Sequence, residues 1–355
     1  MKRNWLSYMC MAALLSGALT SCNESSFLNL SDPNHFTESN FWKDKADAES
    51  ALAAAYSPIK GAMYGYFSAF DGWLNLNGRG DDIFTIKGEE VPMWNIANFL
   101  NSPSTGNDPY GALYSGIQRA NIVLRYIDQI PASGITEEDR SMIKGEALFL
   151  RGYQYFLLVN NYKEVPLRLI PSNEDETNKG PASEAALWTQ VEEDLGNAIK
   201  CNLPVERTTA KERVTKGAAI AMLGKVYATQ HKYPEAKQLL VSLLSAPYSY
   251  ELVDDFAKNF TNEEEFNKES VYEIAYSPDG EYSWSNESGI CLGCYIPQFI
   301  GPVKSGGWAK LMPNSFIVGE FTKETRPNGA DTNFDKRIYA SLFFDPANYG
   351  DKVAN

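Results

Sequence analysis

One spacing limits the fold more than any other feature of the chain. Leu223, Gly224 and Tyr227 are followed by Ala236 and then Leu240, within residues 217–246. Gly224 and Ala236 are small enough to let two antiparallel helices approach closely, and Tyr227 and Leu240 fill the space around them. This is the spacing of a tetratricopeptide unit. Gly152 and Tyr155 repeat the Gly-x-x-Tyr step earlier in the chain. Stacked helix pairs are therefore the expected architecture, with a plain helical bundle as the alternative.

The rest of the chain alternates between helical patterns and their absence. Residues 43–60 are alanine-rich and stop at Pro58, which predicts a helix and its end. Leu113, Ile117, Ala120, Val123, Leu124 and Ile127 recur at three- and four-residue steps across 112–129. Thr136 followed by Glu137, Glu138 and Asp139 opens a further helix, its acids complementing the dipole. Ser183 is a plausible N-cap for the run carrying Leu187, Val191, Leu195 and Ile199. Two blocks break this rhythm. Residues 61–109 carry Gly61, Gly65, Gly72, Gly78, Gly80, Gly88 and Gly106, interleaved with Tyr64, Tyr66, Phe67, Trp73 and Trp94. Residues 277–315 are rich in Gly, Pro and Ser, with Tyr282, Trp284, Tyr295, Phe299 and Trp308. Irregular stretches this long inside a domain are uncommon unless they serve function. Between the helices and the second block, the alternation in "NKESVYEIAYS" reads as a short strand. The expected class is mainly α, with tetratricopeptide-like helix pairs, two long irregular loop blocks and minor β.

The N-terminus bears on location. Lys2 and Arg3 precede an apolar run over residues 5–19, too short to span a bilayer but right for a secretory signal. Leu19-Thr20-Ser21-Cys22 then resembles a bacterial lipobox, in which the cysteine is acylated and cleavage falls just before it. The expected organisation is a signal peptide over 1–21, a lipid-anchored leash over 22–40 and one domain over 41–355. A chance cysteine in a secreted protein is the alternative. Two or more acyl chains on Cys22 would hold the protein stably to a membrane.

Composition excludes more than it assigns. The formal charge of −13 disfavours nucleic acid and anionic lipid surfaces, which call for basic patches. Cys291 and Cys294 form a C-x-x-C without a second pair, and the only histidines are His35 and His231. A zinc site is therefore not expected, and a local disulfide or two free thiols both remain open. No H-E-x-x-H, P-loop, G-x-G-x-x-G or G-x-S-x-G occurs, so neither a metal nor a cofactor is expected. Carboxylates are the only catalytic candidates, because a glycosidase needs just two of them. Asp81-Asp82 lies in the aromatic block, whereas Glu192-Glu193-Asp194 and Glu263-Glu264-Glu265 read as solvated faces or turns.

The loop aromatics suit a sugar. A pyranose has an apolar face that a flat ring covers and a rim of hydroxyls that Asp, Asn and Arg satisfy. "FDGWLNLNGRGDD" supplies both kinds of group. The expected ligand-binding residues are Asp71, Trp73, Asn75, Arg79, Trp94, Tyr282, Trp284 and Trp308, with the two blocks brought together on the helical scaffold. Structural capping of the loops is the alternative for each polar residue.

Several stretches together resemble one family. "FLNLSDP", "FTESNFWKDKADAESALAAAY", "RANIVLRYIDQIP", "KGEALFLRGYQYFLLVNNYKEVPL", "WTQVEEDLGNAI", "RVTKGAAIAMLGKVY" and, later, "FDKRIYASLFF" look like successive signatures of the SusD/RagB lipoproteins of Bacteroidota. The resemblance implies a helical fold with the ligand site on irregular loops. It implies a non-catalytic nutrient-binding protein anchored in the outer membrane and facing outwards. Its implied partner is a SusC-like TonB-dependent transporter, to which it passes oligosaccharide. Peptide or glycopeptide capture within the same family, and a lipid-anchored glycoside hydrolase outside it, are the other readings. Family members continue with further helix beyond the "FDKR" segment, so this chain is expected to lack the last part of the family's fold. No invariant site motif carries over from the resemblance.

Overall fold

The longest element, Glu137–Tyr162 (α4), forms where the acidic cap predicted it: Thr136 Oγ1 accepts the Asp139 amide at 3.1 Å. In this computed structural model, residues 41–60, 67, 72, 77–85, 91–100, 109–172, 174–277, 293–323, 335 and 337–342 are described. The chain divides into Met1–Lys43 and Asp44–Asn355. Of the first unit only residues 41–43 are described, with Phe41 edge-on to Trp42 at 5.2 Å. Cys22, the signal and the leash lie outside the described residues.

In the second unit the chain enters α1, Lys45–Tyr56, through a capping box in which Asp44 accepts the Ala46 and Asp47 amides. α1 is shorter than the 43–60 expected, and Pro58 falls in the turn that follows it. α2 is Val91–Ala97, α3 is Tyr110–Tyr126 with a closing 3-10 turn at Ile127–Gln129, and α5 is the single turn Glu174–Thr177. α6, Glu184–Lys200, is capped by Ser183 as predicted, and α7, Lys216–Thr229, is capped by Thr215. α8, Tyr233–Ser242, follows after Pro234 at its first turn. Short helices α9 (Ile296–Ile300), α10 (Ser315–Lys323) and α11 (Ile338–Ser341) complete the described set.

The long helices pack in chain order. α1 lies against α3 and α4, α3 against α4, α4 against α6, α6 against α7, and α7 against α8. Leu113, Ile117, Val123, Ile143, Leu150, Leu158, Leu187, Val191, Leu195 and Val226 are almost wholly buried between them. The two glycines of the repeat spacing sit at close approaches between helices. A Cβ on Gly224 would lie 2.7 Å from a Leu240 methyl, and one on Gly152 would lie 3.1 Å from Asp194 Cβ. Substituting Gly224→Leu is therefore expected to cost about 1–3 kcal/mol by overpacking. Leu244→Ala, at a position 77% exposed, should stay within about 0.5 kcal/mol. Thermal melts of the two variants compare them directly; a larger loss for Leu244→Ala would contradict the α7–α8 pairing.

Two buried charge networks tie the layers. Glu146 on α4 accepts from Tyr56 Oη at 2.6 Å, Arg207 at 2.7 Å and Arg213 at 2.7 and 3.0 Å. Arg151 on α4 grips Asp194 on α6 with two bonds, at 2.6 and 2.8 Å, and reaches Asn121 on α3 at 2.9 Å. This corrects the reading of Glu192-Glu193-Asp194 as a solvated face. Asp194 is 1% exposed because its helical position points at α4, where Arg151 neutralises it.

The expected strand over 267–277 does not form: the segment is turn and coil. Its aromatic residues pack on helices and loop instead of pairing with a strand edge. Tyr272 meets Phe149 edge-on at 5.4 Å, and Tyr276 donates to the Phe67 carbonyl at 2.8 Å. The minor β that does occur among the described residues joins the two loop blocks. β1, Ile83–Phe84, pairs antiparallel with β2, Met312–Pro313.

Candidate functional site

Ile83 stands opposite Pro313 and Phe84 opposite Met312, so residues 230 and 228 positions apart in sequence become neighbours. Asn314 N donates to the Asp82 carbonyl at 2.8 Å and extends this clasp by one residue. The first block is also fixed to the scaffold: Arg79 Nη2 donates to Asn161 Oδ1, in the last turn of α4, at 2.7 Å. Asn161 is itself held, its amide donating to the Leu157 carbonyl at 2.7 Å.

Behind the clasp lies a small aromatic core. Met93, Tyr295, Phe299 and Leu311 are buried together, with Ile83, Ile296, Ile300 and Trp308 packed against them. Trp308 stacks on Tyr295 at 6.5 Å and meets Phe299 edge-on at 6.2 Å. Backbone bonds between 298–301 and 308–310 hold this unit, at a close approach that only glycine permits: a Cβ on Gly307 would lie 2.1 Å from the Gly301 carbonyl oxygen.

In front of the clasp is a cavity of about 740 Å³. Asn77, Arg79, Asp82 and Ser341 give it polar groups, and Ile83, Ile300, Leu311, Met312 and Leu342 give it an aliphatic wall. Ile83, Ile300 and Leu311 belong to both the cavity wall and the aromatic core. The arrangement offers guanidinium and amide donors and a carboxylate acceptor beside apolar surface, the combination that holds a neutral polyol.

The sequence-predicted residues fall in three places. Arg79 lines the cavity. Trp308 lies in the adjoining core with ring partners on two sides, so it is not a bare platform, and its loss would open that core as well. Trp94 is partly buried on α2, next to Met93 of the same core, and its carbonyl accepts from Asn98 at 2.8 Å. Asp71, Trp73, Asn75, Tyr282 and Trp284 lie outside the described residues. Sequence reasoning missed Asn161, Ser341 and Leu342 as site residues. Asn161 sits in the helical run that opens at Thr136, where only a contact 82 residues away gives it this role.

Other expectations concern chemistry. Asp81 and Asp82 are both exposed, and among the described lining residues Asp82 is the one carboxylate on the cavity. No group of three or more His, Cys, Asp or Glu among the described residues could hold a metal ion. Cys294 carries a free thiol, whose ionisation burial pushes upwards. No described helix is long and apolar enough to cross a membrane.

Comparison with known proteins places this architecture. Residues 80–228 match a family model described as SusD-like, starch-binding and associating with the outer membrane, and residues 268–355 match the SusD family model. The SusD-like protein P38 of Formosa agariphila is 26% identical over 234 residues, covering 65% of this chain and 43% of that protein. A SusD superfamily protein from Bacteroides vulgatus is 30% identical with a TM-score of 0.71, over 84% of this chain and 61% of the other. A laminarin-binding SusD-like protein is 29% identical with a TM-score of 0.62, over 69% of this chain and 54% of its own length. The chain thus spans 43%, 61% and 54% of the length of these three relatives. Two matches in order along the chain, over a shared helical architecture, establish that the chain belongs to the SusD/RagB family.

Proposed function

We propose that the protein binds oligosaccharide where its two loop blocks meet and delivers it, without cleaving it, to a SusC-like TonB-dependent transporter of the outer membrane. The observation that carries this reading is the β1–β2 clasp. It sets Asn77, Arg79 and Asp82 on the rim of one cavity, against an aliphatic wall backed by aromatic rings. A related protein that binds laminarin makes a neutral β-glucan the first ligand to try. A single carboxylate among the described lining residues favours binding over hydrolysis, since the latter needs two flanking the bond. Incubation with laminarin oligosaccharides and a panel of other glycans tests this. Saturable binding without new reducing ends is expected, and products lost on Asp82→Asn substitution would overturn it.

In this proposal Cys22 carries the acyl anchor and places the protein on the outward face of the membrane. Cys22→Ala should move the protein from the membrane to the soluble fraction, because the lipid has no other attachment point. Full retention of the variant in membranes would contradict the lipid-anchored reading.

A further inference from the structure

A second cavity, of about 290 Å³, lies away from the clasp. Three segments enclose it: residues 205–215 between α6 and α7, residues 247–250 after α8, and residues 266–273. Tyr248 and Tyr250 present parallel rings here, 6.1 Å apart and inclined by 11°. Tyr250 is fixed by its hydroxyl, which rests against the first turn of α7; a Cβ on Gly217 would lie 2.2 Å from it.

The charged groups on this cavity are Arg207, Lys211 and Lys268 against Glu206 and Glu273, and Lys268 is already paired with Glu251 at 3.4 Å. Arg207 is nine-tenths buried and donates from Nε to the Val214 carbonyl at 3.1 Å and from Nη2 to Glu146 at 2.7 Å. Its Nη1 has no acceptor among the described residues. Lys211 is exposed at the same cavity and makes no ion pair there. The acceptors are differently placed: Glu273 already takes the Phe266 amide at 2.9 Å, and Glu206 is exposed. Thr215, the cap of α7, also lines the cavity, so the positive end of that helix faces the same space. On a chain of net charge −13, such a cluster is not a consequence of composition.

We infer that this cavity is a second saccharide site, selective for a ring that carries a carboxylate, such as a uronate unit. The tyrosine rings cover the apolar face of the sugar, and Ser249 and Ser270 meet its hydroxyls. Arg207 Nη1 and Lys211 hold the carboxylate, as charge-assisted donors do. The saccharide part of this inference rests on the proposed function; the preference for charge rests on this cavity alone.

Calorimetric titration of the full chain with methyl β-D-glucuronide and methyl β-D-glucoside tests it. The glucuronide should bind at least about tenfold more tightly than the glucoside, and added salt should weaken it. Lys211→Ala should lose about tenfold in glucuronide affinity, and Lys211→Arg should restore most of it. Lys211 is exposed, so melting temperature should hardly move, and binding of neutral oligosaccharide at the clasp should be unchanged. Equal binding of the two glycosides, no glucuronide binding, or full affinity in Lys211→Ala would each overturn the second site. Loss of neutral oligosaccharide binding in the wild type would instead strike the proposed function.

Discussion

Glu146→Ala should lower the stability of the protein by about 3–5 kcal/mol, the usual cost of breaking a buried ion pair by removing one partner. Glu146 is wholly buried and uses both oxygens, bonding Arg207 and Arg213 from the 201–215 loop and Tyr56 from α1. Without it Arg207 keeps its charge but loses its only carboxylate among the described residues. Arg213 retains Glu49 at 2.8 Å, so it suffers less. The Tyr56 phenol is held well above its ordinary pKa, first by burial and then by the Glu146 charge, so it remains a neutral donor to that carboxylate. Glu146→Gln keeps the shape while removing the charge, and should fall between the wild type and Glu146→Ala. Urea unfolding measures all three, since the midpoint shifts with stability at constant slope. A loss below about 1 kcal/mol for Glu146→Ala would mean that this network does not hold α1, α4 and the 201–215 loop together.

Arg151→Ala is the second large effect, again of about 3–5 kcal/mol, because it strands Asp194 in the core at 1% exposure. Gln190 would still donate to Asp194 at 2.9 Å, which softens the loss without neutralising the charge. The two sites differ in what else fails. Arg151 also orients Asn121, whose amide holds the carbonyls of Arg168 and Ile170 at 3.1 Å. Loss of Arg151 should therefore loosen the 165–170 segment. Hydrogen exchange should show faster amides there in Arg151→Ala than in Asp194→Asn, which keeps an acceptor for the guanidinium. Equal protection in both variants would assign Asn121 no dependence on Arg151.

What could be read from the sequence is what depends on near neighbours. Thr136 and Ser183 cap their helices because a cap bonds an amide three residues on. Gly152 and Gly224 mark close approaches because the helical repeat fixes which face they occupy. The misread parts depend on distant partners. Asp194 looked solvated beside Glu192 and Glu193 because its counter-charge comes from another helix, 43 residues away. The alternation at 267–277 suggested a strand, yet Tyr272 and Tyr276 find their partners on α4 and on Phe67. The site shows the same division. Its composition marked the two loop blocks, and Arg79 with them, as candidates. The pairing of Ile83 with Pro313, and the anchoring of Arg79 by Asn161, carry no periodic signal.

The central claim is that sugar is bound at the β1–β2 clasp, and titration of Arg79→Ala tests it most directly. A charge-assisted hydrogen bond contributes about 1.5–3 kcal/mol, so its loss should weaken binding by about tenfold or more. Arg79 reaches the scaffold through Asn161, and Asn161→Ala serves as the control for that anchoring contact. With a laminarin oligosaccharide or another glycan that the wild type binds, the account predicts a weakening of about tenfold or more in Arg79→Ala, with the far-UV circular dichroism of the wild type preserved. Wild-type affinity in Arg79→Ala, for a glycan of confirmed binding, would contradict it.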